Sequence, residues 1–473
     1  MLVSPHKINY LLKAMGFWIW GLIAIVISAS MLSISYRLVS LYQAHETKAH
    51  SISSPALDSP ALTGLPLSNK KPADAFIDTQ GIQAGQRVIS RVVGGDIKAA
   101  QQALLNKQWA DALRNLEAAE TKGPLTTYDR KTIAEFTGIA YVRLSDFKSA
   151  QKAYEAAVAT GAFEAEELVR IFRLLFQLAA TNKQDAKAIE YGERTAAAGA
   201  ANENDLLIMS QLYYQQKNCT NSAIWGDKAI ASFKAAGEPP KEVLYQLKLQ
   251  CASNVNDIAA MRAALYDLIR LTNKTMYWNN LTRLERQEER DDRNTLMIYR
   301  VMFDTNSMKA DTDYIEMAQL LGDAGLPGEA QAVLEKAMSS NVLQDEHRER
   351  VTRLLSALKT RSDSDRQALP ILNAEANGNP SGQLDVKLGQ VYFGAADYRD
   401  AAAAMGRAIV KGQIRQPEDA FVYLGRSEVA LKNTADAKKA FEGLKSVPNM
   451  SARILRLWNL YSDTMPAETS QPL

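Results

Sequence analysis

The chain has 473 residues, 47% of them hydrophobic and 23% charged, with 55 basic and 53 acidic side chains. That composition supplies ample core, and its near-balanced charge removes the bulk attraction on which sequence-independent nucleic-acid binding relies. Two cysteines exclude a disulfide scaffold or a four-cysteine zinc site, and three of the four histidines precede residue 51.

Residues 1–14 read as a short head and 15–36 as an apolar span. From Gly16 to Tyr36 no side chain is charged, a run long enough at ~1.5 Å per residue to cross a ~30 Å hydrocarbon core. Trp18 and Trp20 stand near one end and Tyr36 at the other, where amphipathic rings favour the headgroup zone. A secretory signal peptide is the competing reading, because Lys7 and Lys13 precede the run and Ser28-Ala29-Ser30 supplies small residues for cleavage. Continued apolar character through Met31, Leu32 and Ile34 favours an uncleaved transmembrane anchor. The head is short and basic, which puts the amino terminus in the cytoplasm and the bulk of the chain outside it. Residues 37–84 form a Ser/Pro-rich tether without sustained apolar period, too polar to build a core. Within it, His45-Glu46 and His50 imitate a zinc-protease motif with one residue too many between Glu46 and His50, an accident of composition.

From 85 to 465 helical periodicity is continuous and repeats. Gly138 is followed by Tyr141, Phe147, Ala150, Tyr154 and Ala157; Gly389 is followed at the same intervals by Tyr392, Tyr398, Ala401, Met405 and Ala408. Gly425 with Ala437 and Phe441, and Ala318 with Ala330 and Leu334, keep the same columns. The spacing resembles the tetratricopeptide repeat (TPR), in which small residues let two helices approach and a large side chain fills the groove between them. It predicts an all-α solenoid of about ten helix hairpins. A terminal helix through Ile454, Leu457, Trp458 and Tyr461 caps it, and residues 466–473 form a disordered tail.

A narrower resemblance rests on Met276-Tyr277-Trp278, on 311–319 (DTDYIEMAQ), on 326–330 (LPGEA), on 385–390 (DVKLGQ) and on Leu457-Trp458. These segments look like a group of proteobacterial TPR proteins described as components of TonB energy-transduction systems. The resemblance implies a non-enzymatic envelope protein with protein partners; together with the anchor, that gives a single-pass protein of the bacterial inner membrane with its solenoid in the periplasm.

Chemistry-bearing motifs are missing. No Gly-rich phosphate loop and no G-x-S-x-G elbow occur, and His347 reads as a solvated helix residue. The sequence therefore argues against an enzyme and names no cofactor, metal, nucleic acid or small-molecule substrate. Solenoids bind along the inner face lined by first helices, which here offers Arg143, Gln211, Gln319, Gln390, Phe393 and Arg426 as candidate peptide contacts. The charged run at 285–290 reads as a wet loop or a contact loop. Cys219 falls at the start of a second helix and Cys251 near the end of the next first helix, so a disulfide between them is geometrically reasonable; two buried thiols are the alternative. Two other functions stand beside the envelope scaffold: a cytoplasm-facing adaptor, and an enzyme of cell-wall or polysaccharide metabolism.

Overall fold

The structure is a computed structural model that describes residues 87–340 and 342–466. The candidate anchor and tether lie outside the described residues, and none of the described helices is long and apolar enough to cross a membrane. Among the described residues twenty-one α-helices follow one another, ten successive pairs and a last single helix. They fall into two compact units, one through Gln184 and one from Asp185 onward.

The first unit holds α1 (Gly94–Leu105), α2 (Trp109–Glu120), α3 (Thr127–Arg143), α4 (Phe147–Ala159) and α5 (Ala165–Thr181). The second begins with α6 (Asp185–Ala197), α7 (Glu203–Gln215), α8 (Cys219–Ala235), α9 (Glu242–Asn254) and α10 (Ile258–Thr272). It continues with α11 (Thr275–Glu288), α12 (Asp292–Asp304), α13 (Asp311–Asp323), α14 (Pro327–Ser339), α15 (Asp345–Gln367) and α16 (Leu369–Gly378). Its last members are α17 (Gln383–Gly394), α18 (Tyr398–Lys411), α19 (Pro417–Ala430), α20 (Thr434–Gly443) and α21 (Ala452–Asp463).

The repeat columns are packing contacts. A Cβ added to Gly138 would lie 2.6 Å from the Tyr154 ring, one on Gly389 2.7 Å from Met405 Cε, and one on Gly425 2.5 Å from the Phe441 ring. In each case the large side chain sixteen residues on occupies the space the missing Cβ leaves. Ala150, Tyr154, Ala157, Ala318, Ala330, Ala401, Ala437 and Phe441 are all fully buried. Tyr141 and Tyr392 are half-buried.

A second repeating device sits between the helices of a hairpin. Ser145, Lys217, Asn256 and Ala396 take left-handed φ near 60°, a conformation costing a non-glycine residue roughly 1–2 kcal/mol. The next amide reaches back to a helix carbonyl at 2.9 Å (Asp146 to Tyr141, Asn218 to Tyr213, Asp257 to Ala252, Asp397 to Tyr392), closing the first helix. Asp146, Asn218, Asp257 and Asp397 then accept from the amide three residues on and open the second helix.

The sulfurs of Cys219 and Cys251 are joined, with the two Cα atoms 5.5 Å apart, tying α8 to α9. In the second unit the last helices fold back onto earlier ones. On α21, Trp458 stacks on Phe441 at 5.1 Å and Tyr461 meets Trp278 of α11 edge-on at 6.4 Å. Arg453 pairs with Glu285, Glu288 and Glu289, and Arg262 of α10 pairs with Glu285 and Glu288. Most of the run at 285–290 is therefore not a wet loop: it forms the end of α11, and the buried Glu285 joins α10, α11 and α21. A second crossing brings α14 to α17, where a Cβ on Gly394 would lie 2.8 Å from Gly328 Cα. Only two glycines let those backbones come so close.

Candidate functional site

A signal passed over in the sequence reading lies in α12. Leu296–Phe303 reads LMIYRVMF, an apolar run with one arginine, and a guanidinium there needs buried partners. Arg300 is 2% exposed. Its Nε and Nη2 donate to the Glu329 carboxylate at 3.3 and 3.1 Å, and Nη2 also donates to Tyr423 OH at 2.6 Å. Glu329 sits in the first turn of α14, where the helix dipole favours a carboxylate. Tyr423 and Arg426 lie one turn apart on α19 and so share a face. The Tyr423 hydroxyl donates to Glu329.

Arg426 completes the cluster. It donates to Glu329 and holds Asp304 with two bonds, Nε–Oδ2 at 2.8 Å and Nη2–Oδ1 at 3.0 Å. Phe393 lies under its guanidinium at 4.7 Å and meets the Tyr423 ring edge-on at 5.1 Å. Burial pushes the Glu329 carboxyl up, but Arg300 and Arg426 outweigh it and hold the group at about 2. Among the described residues Asp419 forms an ion pair only with Arg300 Nη1, 3.6 Å away, and burial raises its pKa.

Of this cluster, Arg300 and Asp419 line a cleft of about 870 Å³. Asn294 and Met297 of α12, Gln383 and Gln390 of α17, and Gln416 with Asp419 at the start of α19 form its walls, and the loop 447–451 covers one side. Arg293 pairs with Glu418, binding α12 to α19. A second cleft of about 890 Å³ lies between α10, α20 and α21, with Arg270, Lys438 and Arg456 on its lining. A third, of about 700 Å³, exposes Arg283, Arg290 and Lys309 beside α11.

The five candidate contacts of the second unit do not share one surface. Arg143 ends α3 in the first unit, half-buried. Gln211 on α7 is half-buried and Gln319 on α13 is exposed. Gln390 alone of the six lines the 870 Å³ cleft. Phe393 packs against the ion cluster instead of facing a groove. Arg426, expected on an open inner face, is 5% exposed and fully engaged with Asp304 and Glu329. The fold-back of α19 onto α12 and α14 takes it out of reach of a partner. His347 is likewise no solvated bystander, for its Nδ1 lies 2.7 Å from the buried Asp311 carboxylate.

Residues 386–450 match the family described as Tetratricopeptide repeat, a segment that includes most of α17, all of α19 and the loop beside the cleft. No curated protein sequence matches the chain. Among solved structures, the Naa15/Naa10 assembly bound to HypK is similar at 15% identity and a TM-score of 0.36, over 76% of this chain. This chain spans 59% of the length of that one. A tetratricopeptide repeat protein from Parabacteroides merdae is 12% identical, with a TM-score of 0.26 over 78% of this chain and 98% of that one. The TPR domain of P58(IPK) is 14% identical, with a TM-score of 0.20 over 72% and 99%. Likenesses this distant carry no functional information.

Proposed function

We propose that this chain is a scaffold that holds protein partners through its helical-hairpin units, tethered to a membrane by residues 15–36 in the bacterial cell envelope. The observation that carries the reading is a repeat of helix hairpins, matching a TPR segment at 386–450, with a cleft of about 870 Å³ among those it opens. Amides, guanidinium groups, the Lys387 ammonium, carboxylates and apolar side chains line that cleft, and its one hydroxyl, Ser451, makes no side-chain hydrogen bond to a base among the described residues. Its equipment is for binding. A tether gives such a scaffold its mechanism, because anchoring raises the local concentration of weakly held partners.

Two finer elements belong to this proposal. A periplasmic location is supported by the joined Cys219 and Cys251, since disulfides persist in oxidising compartments. A link to a TonB-type system is supported by the segments that resemble that group of proteins. In-cell crosslinking followed by mass spectrometry tests both, comparing the full chain with one lacking residues 1–43. Envelope proteins, TonB-system members among them, should be recovered with the full chain and depleted with the shortened one. Recovery of cytoplasmic partners, with both cysteines reduced, would transfer the scaffold to the cytoplasmic side.

A further inference from the structure

The geometry points to a neutral, amide-rich stretch of extended polypeptide as the occupant of the 870 Å³ cleft; this rests on the scaffold reading and names the class of partner segment. The argument starts from Arg300. Three of its five N–H groups are engaged with Glu329 and Tyr423. The remaining two are on Nη1, which donates to the weak sulfur acceptor Met297 Sδ at 3.8 Å and lies 3.6 Å from Asp419 Oδ1, beyond ordinary hydrogen-bond reach for an oxygen. Arg300, 2% exposed, is thus a lining residue of the cleft whose Nη1 edge is under-used. Beside it, Asp419 accepts no hydrogen bond among the described residues.

A donor edge and an acceptor edge side by side select their complement. A ligand carboxylate would suit Arg300 but would face Asp419, Glu418 and Asp291; an ammonium would suit Asp419 but would face Arg300, Arg293 and Lys387. These lining charges cancel. A peptide group offers its C=O to Nη1 and its N–H to Asp419 at no electrostatic cost. The walls repeat the same complementarity through carboxamides, each a donor and an acceptor. Among the described residues, Asn294, Gln390, Gln416 and Asn449 make no side-chain hydrogen bond, so all four can meet backbone or Gln/Asn side chains. No aromatic ring lines the cleft, so sugars and nucleobases lack the stacking platform they use.

The test is selection of short random peptides displayed on phage against the full chain, followed by fluorescence anisotropy of the enriched sequences. Enriched peptides should be uncharged and rich in Asn, Gln, Ser and small residues. Asp419→Ala and Gln390→Leu should each weaken them about tenfold, and replacing their glutamines by glutamate or lysine should weaken them similarly. Gln390 lies outside the ion cluster, so Gln390→Leu keeps the test decisive if Asp419→Ala fails to fold, as judged by circular dichroism. Enrichment of acidic or basic peptides overturns the proposal. So does failure to enrich any peptide sensitive to Gln390→Leu. Partners that still crosslink in cells to the Gln390→Leu chain would sink this inference and leave the scaffold reading standing; absence of any crosslinked partner would sink the scaffold reading itself.

Discussion

Arg426→Ala separates a groove residue from a residue of the fold. The substitution removes the guanidinium that holds Asp304 with two bonds and shares Glu329 with Arg300. The side chains of Asp304 and Glu329 are 14% and 4% exposed, so water replaces little of what is lost. Truncating one partner of a buried ion pair costs roughly 3–5 kcal/mol, whereas an arginine on an open concave face would cost within about 0.5 kcal/mol. Urea unfolding of the detergent-solubilised full chain, followed by tryptophan fluorescence, reads the difference, because Trp278 and Trp458 are both buried in the same unit. The variant's midpoint should fall by an amount matching that loss, while Gln319→Ala, at an exposed position, leaves it in place. A variant as stable as the parent would place Arg426 in solvent and refute the fold-back.

Four further outcomes follow from the same geometry. Gly394→Ala drives a Cβ to 2.8 Å from Gly328 Cα and 3.0 Å from the Glu329 nitrogen, backbone atoms that cannot swing aside; after the helix-propensity gain of about 1 kcal/mol it should destabilise by roughly 2 kcal/mol. Gly406→Ala on α18 meets nothing within 4 Å and should stabilise by up to ~1 kcal/mol, read by the same urea midpoints. Glu329 is held at about 2 against an ordinary 4.5, so the stability it contributes is complete above pH 4.5 and disappears as pH falls through 2. That contribution amounts to about 3 kcal/mol, partly offset by protonation of Asp419, whose raised pKa works in the opposite sense. Acid titration of stability should therefore be flatter in Glu329→Gln. Reducing the Cys219–Cys251 bridge, which spans 32 residues, should lower stability by about 3–4 kcal/mol in the chain-entropy picture, visible as a lower urea midpoint in reductant.

The hairpin repeat is legible because its rule is local. A glycine and the large side chain sixteen residues later lie on adjacent helices joined by a tight turn, so the sequence interval determines the contact. The same holds for Asp146, Asn218, Asp257 and Asp397, whose pairing with a left-handed residue just before is written into neighbouring positions. The fold-back is different. Gly328 meets Gly394, and Arg300 meets Tyr423, across intervals that no repeat period encodes. Column counting put Arg426 on an inner face because it presumes that the face stays open, and in the second unit the chain's own helices fill it. A hint was present in Leu296–Phe303, where one arginine interrupts an apolar run and requires an acid from elsewhere. Nothing local identifies Glu329 as that acid, since its position in the first turn of α14 equally suits an exposed dipole-compensating residue.

A double-mutant cycle on Asp304 and Arg426, residues that lie 122 positions apart, tests the closure of the second unit most directly. Asp304→Ala, Arg426→Ala and the double variant, each unfolded in urea, should give a coupling energy of about 2–3 kcal/mol, because removing both charges leaves less unpaired than the two single losses combined. Additive losses, with coupling below about 0.5 kcal/mol, would mean that α19 does not lie against α12.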